Sequence, residues 1–574
     1  MQNNATMPWL EHYDHAVPAS LTVYPDRTIL DCVSDMAARL PDHPAVVFKG
    51  RTISYRTLER LSDACAAALQ SLGVARGDRV ALVLPNCPQF LIVELAVWKL
   101  GAILAPLNPL YTEVELETAL GESGATIAVV LTRYYGRIKR VQPKTALRQV
   151  IVTNIKDYFP PLLKILFTLF RETRDGDRVS IADSDRRLTR LLRRHARAKP
   201  IRARLAPQDP AILLMSGGTT GTPKAALGPH SAYNFTGRQV TAWIGSVLRG
   251  HEDVWLVPLP LFHVYVNVGV QAVAFATGAT MALVPNPRDL PDLLATIRKV
   301  KPAFFCAVPT LYVALLNHAD AHPGAIDFTS IRFCFCGASA LLADTKRRFE
   351  ALTGGVIVEG YSLTEAMMAL CANPVKGVNK IGSVGMPFPD VLVRIYDAEE
   401  GTRILGTGEV GEVAMWGRQL MTGYWNRPDE TAVVLRNHVD ADGTRRWLHT
   451  GDLGYLDSDG YLFIVDRTKD LIKTSGQQVW PREIEEVLAT HAAVAEVGVA
   501  GVPDPVKGEA VRAWIVLRAG AAASEDDLRA FCRTKLAPYK VPARVEFRTE
   551  LPKSMVGKVL RRALRESARP PQSP

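Results

Sequence analysis

From Ala45 onward the chain alternates between two hydrophobic rhythms. AVVF and TISY read as short strands, after which Leu58, Leu61, Cys65, Ala68, Leu69 and Leu72 recur at helical spacing before the apolar run VALVLP. FLIVELAVWKL has helical length and leads into AILAPL. IAVVL and AILLM are continuously apolar, as expected of strands covered on both faces of a parallel sheet. The pattern predicts an α/β fold whose large layered N-terminal domain carries mostly parallel sheets. Near Asp466 the rhythm changes: DRTKDLIKTSG is rich in charge, and VAEVGVAGV, RAWIVLR and the helical SEDDLRAFCRTKL follow. The expected division is an N-terminal domain at 1–465 and a small α+β domain at 466–574 with a hinge at its start. The final ARPPQSP is expected to fray.

One stretch departs from this plan. Phe159 to Phe170 reads FPPLLKILFTLF, and between Arg186 and Arg204 nine Lys or Arg occur with no acid among them. Two readings fit: a peripheral contact with an anionic membrane surface, or a core helix followed by a solvated basic one. Across all 574 residues Lys+Arg number 68 against 58 Asp+Glu, a net charge of +10 that favours anionic partners. Nucleic acid is not expected, because no aromatic residues interleave with the basic ones.

Cysteines are sparse and form no CxxC pair, so neither a disulfide framework nor a zinc site is suggested and a reducing cytoplasm is expected. Cys334 and Cys336 alternate in IRFCFCG as on one face of a buried strand. The opening MQNNATMPWLEHYDH lacks a basic segment followed by an apolar run, so no secretory signal is expected. No apolar stretch is long enough to span a bilayer.

The strongest chemical signal follows the strand AILLM: Ser216, Gly217, Gly218, Thr219, Thr220, Gly221, Thr222, Pro223 and Lys224. Glycines let backbone N–H groups approach an anion, hydroxyls add donors and the lysine adds a point charge, so the segment reads as a phosphate cradle. It is not a P-loop, since no GK[ST] closes it.

This loop resembles the signature of the adenylate-forming enzymes: acyl-CoA synthetases, peptide-synthetase adenylation domains and luciferases. Gly360-Tyr361-Ser362-Leu363-Thr364-Glu365 resembles their aromatic-Thr-Glu motif, and Gly451-Asp452 their ribose-binding aspartate. Asp466-Arg467-Thr468-Lys469-Asp470 is similar to their hinge, and Pro552 to Lys558 to their catalytic-lysine loop. The motifs occur in order from about Ala45 to Arg565.

The resemblance implies ATP, Mg²⁺ and coenzyme A as reactants or cofactors, and a role for each motif. Ser216 to Lys224 would hold the β- and γ-phosphates, Ser216 and Glu365 would ligate Mg²⁺, and Lys558 would reach the α-phosphate and the attacking carboxylate. Asp452 and Arg467 would hold the ribose. Tyr361 would face adenine, opposite Gly337-Ala338-Ser339, with Gly360 and Thr364 completing the motif. His263 would border the acyl and thiol channel in a positioning role, with Val266, Asn267 and Gly269 along the acyl tunnel. The lid would pivot at Lys469, bringing Lys473 and Gly476 toward the pantetheine arm. Arg561, Arg562 and Arg565 read as plain surface cations.

LNPLYTEVELE, SGQQVWPREIEEVL and APYKVPARVEFRTELPKSMVGKVLRRALR are most similar to long-chain fatty acid–CoA ligases, with aryl-acid CoA ligases sharing parts of them. The implied activity is that of an AMP-forming acid–thiol ligase of fatty acid metabolism. A fatty acyl-AMP ligase, an aryl-acid CoA ligase and a non-catalytic nucleotide- or lipid-binding relative stand as alternatives. Ala225 departs from the family's usual glycine, and its methyl is expected to narrow the phosphate loop.

Overall fold

Two mixed sheets dominate the computed structural model, which describes residues 7–22, 24–216, 223–337, 341–440, 443–467, 470–474, 477–518, 520–554 and 557–568. In the nine-stranded sheet, Pro44–Phe48, Thr280–Leu283, Val254–Val257, Phe304–Ala307, Phe333–Cys336 and Val356–Leu363 run parallel as neighbours. All four residues of FCFC are buried, so both faces of that strand are covered. The eight-stranded sheet has a parallel centre of Ile103–Pro106, Arg79–Val83, Ile127–Leu131 and Gln149–Thr153, flanked by Pro210–Ser216.

Strand alternation divides the second sheet's side chains between two cores. Val80 and Leu82 face the core shared with the first sheet, whereas Ala81 and Val83 pack with Leu116, Leu120 and Ile138. The Pro88–Lys99 helix is buried along its whole length. It bridges the two sheets, since Trp98 donates to the Ala211 carbonyl at 2.8 Å while Glu94 accepts from Asn267 on the other side at 2.8 Å.

A third sheet is antiparallel: Leu392–Tyr396, Gly411–Trp416, Gly443–Leu456, Leu435–Asp440 and Leu462–Arg467. The hydrophobic rhythm does not disclose it, because its strands carry polar residues such as Arg394, Glu412 and His449. Beyond it, Ile472–Thr474, Gln477–Val479, Val494–Asp504, Gly508–Leu517 and Arg544–Phe547 form a separate sheet. That sheet shares a core with two amphipathic helices through Ile484, Leu488, Leu528 and Cys532.

The Pro161–Phe170 helix is not a core helix, since Phe167 is its one buried residue. Among the described residues no helix is long and apolar enough to cross a membrane.

Candidate active site

Asp452 and Arg467 are directly opposed on neighbouring antiparallel strands. The guanidinium Nε donates to Asp452 Oδ1 at 2.8 Å, a cross-strand pair that the register itself enforces. Asp452 is buried, and its other oxygen accepts from the Tyr361 hydroxyl. Tyr361 comes from the first sheet, so this hydrogen bond joins the first sheet to the third. Burial, and then the Asp452 carboxylate, push the Tyr361 phenol well above its ordinary pKa, leaving it a hydrogen-bond donor. Gly360 precedes it because a Cβ there would stand 2.5 Å from the Phe335 ring.

Lys558 approaches the same corner from the other end of the chain. Its loop is a tight turn: Ser554 N–H donates to the Lys558 carbonyl at 2.8 Å, and Lys558 N–H to Ser554 Oγ at 3.1 Å. Gly557 has φ +74° and lies against Val308 and Thr310, where an added Cβ would be 3.2 Å from Thr310 Oγ1. Lys558 keeps access to solvent yet is crowded by both domains. Loss of hydration first, and the Arg467 guanidinium second, lower its pKa to about 8. The lysine is thus mostly charged at neutral pH and close to its titration point.

A second group forms around a residue that the motifs do not single out. Tyr424 lies on a two-residue strand paired with Lys224–Pro229, and its hydroxyl donates to Glu365 Oε1 at 2.7 Å. Burial and the Glu365 carboxylate raise the Tyr424 phenol, while a contact with the Ser216 hydroxyl works in the opposite direction. Lys224 Nζ sits 5.1 Å from the centre of the same ring. Tyr424 therefore gathers Ser216, Lys224 and Glu365. Its sequence signal, Gly-Tyr-Trp after a short polar stretch, is too brief to be read alone. Glu365 has no cationic partner among the described residues, and with the Ser216 hydroxyl it offers the hard oxygen donors that suit Mg²⁺.

Ala225 does not narrow this group. It is buried with Ile103, Ala105 and Leu213, and strand alternation turns its methyl away from Lys224.

His263 accepts a hydrogen bond at Nδ1 from the Tyr265 N–H at 3.3 Å, which leaves its proton on Nε2. Enclosure of the ring lowers its pKa to about 4, so it is neutral at pH 7. Beyond it Tyr265–Val270 forms a turn of π-helix. Gly269 there lines an apolar slot of about 10 Å³ with Trp255, Tyr265, Phe335 and Met368, room for about one water molecule. A Cβ at Gly269 would stand 2.5 Å from the Met368 methyl. Asn267 does not face this slot: its amide donates to Glu94 and it accepts from the Tyr233 hydroxyl at 2.5 Å.

Other expected residues lie elsewhere. Lys473 is exposed on the C-terminal sheet, its N–H bonded to Glu509, away from the Asp452 corner. Gly337 is described and packs near Tyr265. Gly217, Gly218, Thr219, Thr220, Gly221, Thr222, Ala338, Ser339, Lys469 and Gly476 lie outside the described residues. Thr364 is half-buried beside Glu365. Arg561 is no plain surface cation: it pairs with Asp466 at 2.8 Å, Asp470 at 3.1 Å and Glu485 at 2.7 Å. Arg565 reaches Asp470 at 3.4 Å, and Arg562 pairs with Glu566 on the surface.

Residues 33–425 match the family model described as AMP-binding enzyme, and residues 483–558 the one described as AMP-binding enzyme C-terminal domain. The chain is an AMP-binding enzyme. The second match ends on Lys558, the residue that enters the corner built by the first. This AMP-binding enzyme is 40% identical over 565 residues to a long-chain-fatty-acid–CoA ligase of Bacillus subtilis, covering 97% of this chain and 98% of that one. It is 36% identical to the enzyme of that name from Escherichia coli O157:H7, covering 98% of each. ATP-bound MatB from Rhodopseudomonas palustris superposes with a TM-score of 0.77 at 28% identity, over 94% of this chain and 98% of that one. The adenylate-forming CoA ligases of this family use ATP and CoA, with Mg²⁺ as the usual metal.

Proposed function

We propose that this AMP-binding enzyme converts a long-chain fatty acid into its coenzyme A thioester. The carboxylate oxygen attacks the α-phosphorus of ATP, the bond to the bridging oxygen breaks, and pyrophosphate leaves. The CoA sulfur, having lost its proton, then attacks the acyl carbonyl and AMP departs. The observation that carries this reading is the approach of Lys558 to the Tyr361–Asp452–Arg467 corner, across nearly two hundred residues of chain. Full-length similarity to long-chain-fatty-acid–CoA ligases favours the fatty substrate over an aryl acid.

In this reading Asp452 and Arg467 hold the ribose, and Tyr361 closes the adenine side opposite Gly337-Ala338-Ser339. Lys558 neutralises charge between the incoming carboxylate and the α-phosphate. Ser216 and Glu365 would hold Mg²⁺, positioned by Tyr424; the ion, when bound, supplies neutralisation of phosphate charge. Gly217 to Lys224 cradle the outer phosphates. His263, neutral, orients the acyl carboxyl through Nε2–H. The lid, the part of residues 466–574 that lies beyond the hinge, pivots at Lys469 after adenylation, so that Lys558 withdraws and Lys473 to Gly476 meet the thiol. Pairing of the Leu462–Arg467 strand with its neighbour, interrupted by one bulge between Ile464 and Asp466, continues to Arg467 and supports a pivot just beyond it.

The proposed site of action is the cytoplasm, in keeping with eight unbonded cysteines, and in contact with an anionic membrane surface that supplies the acid. A panel of carboxylic acids with Mg-ATP, with and without CoA, tests the reaction. Pyrophosphate release that is strongest with long-chain acids, and acyl-CoA formed only when CoA is present, is the expected result. Pyrophosphate with no free acyl-CoA would assign the enzyme instead to acyl-AMP delivery.

A further inference from the structure

The Pro161–Phe170 helix is amphipathic in the wrong direction for a helix of a soluble domain. Leu162, Ile165, Leu166, Leu169 and Phe170 recur at spacings of three and four, a single stripe. That stripe faces solvent: Leu162 is 70% exposed, Ile165 57%, Leu166 43%, Leu169 69% and Phe170 69%. The opposite side anchors the helix. Phe167 is buried edge-on against Phe159 at 5.4 Å between centroids, and Leu163 packs on the main core. Lys156 ties the far end down through Glu172 at 2.6 Å and Thr168 at 2.9 Å. The helix is therefore held rigidly with its apolar stripe outward, a contiguous patch that calls for an occupant.

Its neighbour has the complementary chemistry. Gln149–Thr153 leads into the apolar helix, and the edge strand Arg186–Arg187 pairs with it in parallel and leads into Leu188–Arg194. Parallel strands send their following segments out at the same end of the sheet, so both helices begin at that end. Leu188, Leu191 and Leu192 bury the second helix, and Arg190, Arg193 and Arg194 point outward. With Arg187, Arg197 and Lys199 they form an exposed cationic field in which none of these residues has a carboxylate within ion-pairing distance among the described residues. A protein partner would be expected to meet such a stripe with its own acids. A bilayer with anionic headgroups meets both features at once, taking the apolar side chains between its acyl chains and the arginines at phosphate level.

We infer that these two helices are the surface by which the enzyme docks on anionic lipid bilayers, the phase into which a long-chain acid partitions. The inference deepens the membrane contact proposed above and identifies the face that makes it.

The test is flotation of the full chain with phosphatidylcholine vesicles, with and without phosphatidylglycerol. The expected result is binding to the anionic vesicles that weakens as salt rises. Leu169→Asp, an exposed change, is expected to lower the bound fraction by about tenfold, and Arg190→Glu with Arg194→Glu to remove both binding and its salt dependence. Leu166→Trp is expected to be quenched by lipids brominated in the acyl chain. All variants should keep wild-type pyrophosphate release with a water-soluble medium-chain acid, which keeps a docking failure distinct from a failure of the ligase reading. Absence of flotation, equal flotation of Leu169→Asp, or a concentration-dependent dimer abolished by Leu169→Asp would each overturn the inference, the last by assigning the stripe to a second copy of the chain.

Discussion

Arg561 donates to Asp466 at 2.8 Å, joining the helix that follows the Lys558 loop to the last strand of the third sheet. Asp466 is buried and keeps two backbone donors, Arg467 N–H and Arg482 N–H, without the arginine. Arg561→Ala therefore removes a charged hydrogen bond without stranding the carboxylate, costing about 2 kcal/mol of lid docking. In the proposed cycle that docking holds Lys558 for adenylation. Pyrophosphate release should fall by about tenfold or more, with thioester formation from supplied acyl-adenylate affected less. Rapid-quench assay of the two half-reactions checks this; equal losses would separate Arg561 from lid placement.

Lys558→Ala should suppress adenylation at least a hundredfold while largely sparing the acyl-adenylate to acyl-CoA step. The pH profile gives a finer check. A lysine with a pKa near 8 is charged below that value, so kcat/KM for pyrophosphate release should fall on the alkaline side with a midpoint close to pH 8. Arg467 is a cause of the lowering. Arg467→Gln should then move the alkaline limb to higher pH, whatever it does to the plateau through the proposed ribose contact.

The parts of the site that were legible in the sequence are those in which backbone and chemistry need the same residues. Gly360 before Tyr361 marks a close approach that allows no side chain, and Gly557 before Lys558 a backbone at φ +74° that favours glycine. Asp452 and Arg467 were legible only as separate motifs, because their pairing is a matter of strand register. Tyr424 and Arg561 were not legible. Each acts through partners more than fifty residues away, and neither Gly-Tyr-Trp nor a run of arginines reveals a carboxylate waiting elsewhere. The parallel sheets follow from continuous apolar runs, whereas the third, polar-faced sheet leaves no such trace.

Tyr424→Phe removes the hydroxyl that fixes Glu365 but keeps the ring beneath Lys224. Stability should hardly change, as the ring stays packed. The Mg²⁺ concentration needed for half-maximal pyrophosphate release should rise about tenfold, the equivalent of one charged hydrogen bond that no longer orients the proposed metal ligand. Titration of Mg²⁺ at saturating ATP measures it, with the melting temperature as the control.

Met368 closes the apolar slot from a backbone at φ +104°, a conformation that suits glycine far better than methionine. A long acyl chain needs much more space than the slot offers, so this flexible side chain is the wall most readily displaced. Met368→Gly should both relieve the backbone and open the slot beside Gly269. The expected outcome is a lower KM for the longest acids and an unchanged KM for ATP, with a melting temperature that falls because the buried side chain's packing outweighs the relieved strain.

Glu94 lies fully inside the helix that bridges the two sheets, with Asn267 donating to one oxygen at 2.8 Å and the Gln271 amide 2.6 Å from the other. Burial raises its pKa to about 8, although the two amide contacts oppose the shift. The carboxyl is then mainly protonated at pH 7. Gln271 Oε1 has no partner as placed, but a turn of that amide lets the acid O–H donate to it, satisfying both groups. The sign of the pH dependence follows. Between about pH 4.5, where an unfolded glutamate ionises, and pH 8, the folded chain holds one more proton than the unfolded chain, so this group makes stability fall by about 1 kcal/mol per pH unit as pH rises. Glu94→Gln keeps a donor toward Gln271 and has nothing to ionise. Relative to the wild type it should be most stabilising at pH 8 and above, with the difference shrinking toward pH 5. Urea unfolding of both proteins across that range measures it; a constant difference would mean that Glu94 is buried as the carboxylate.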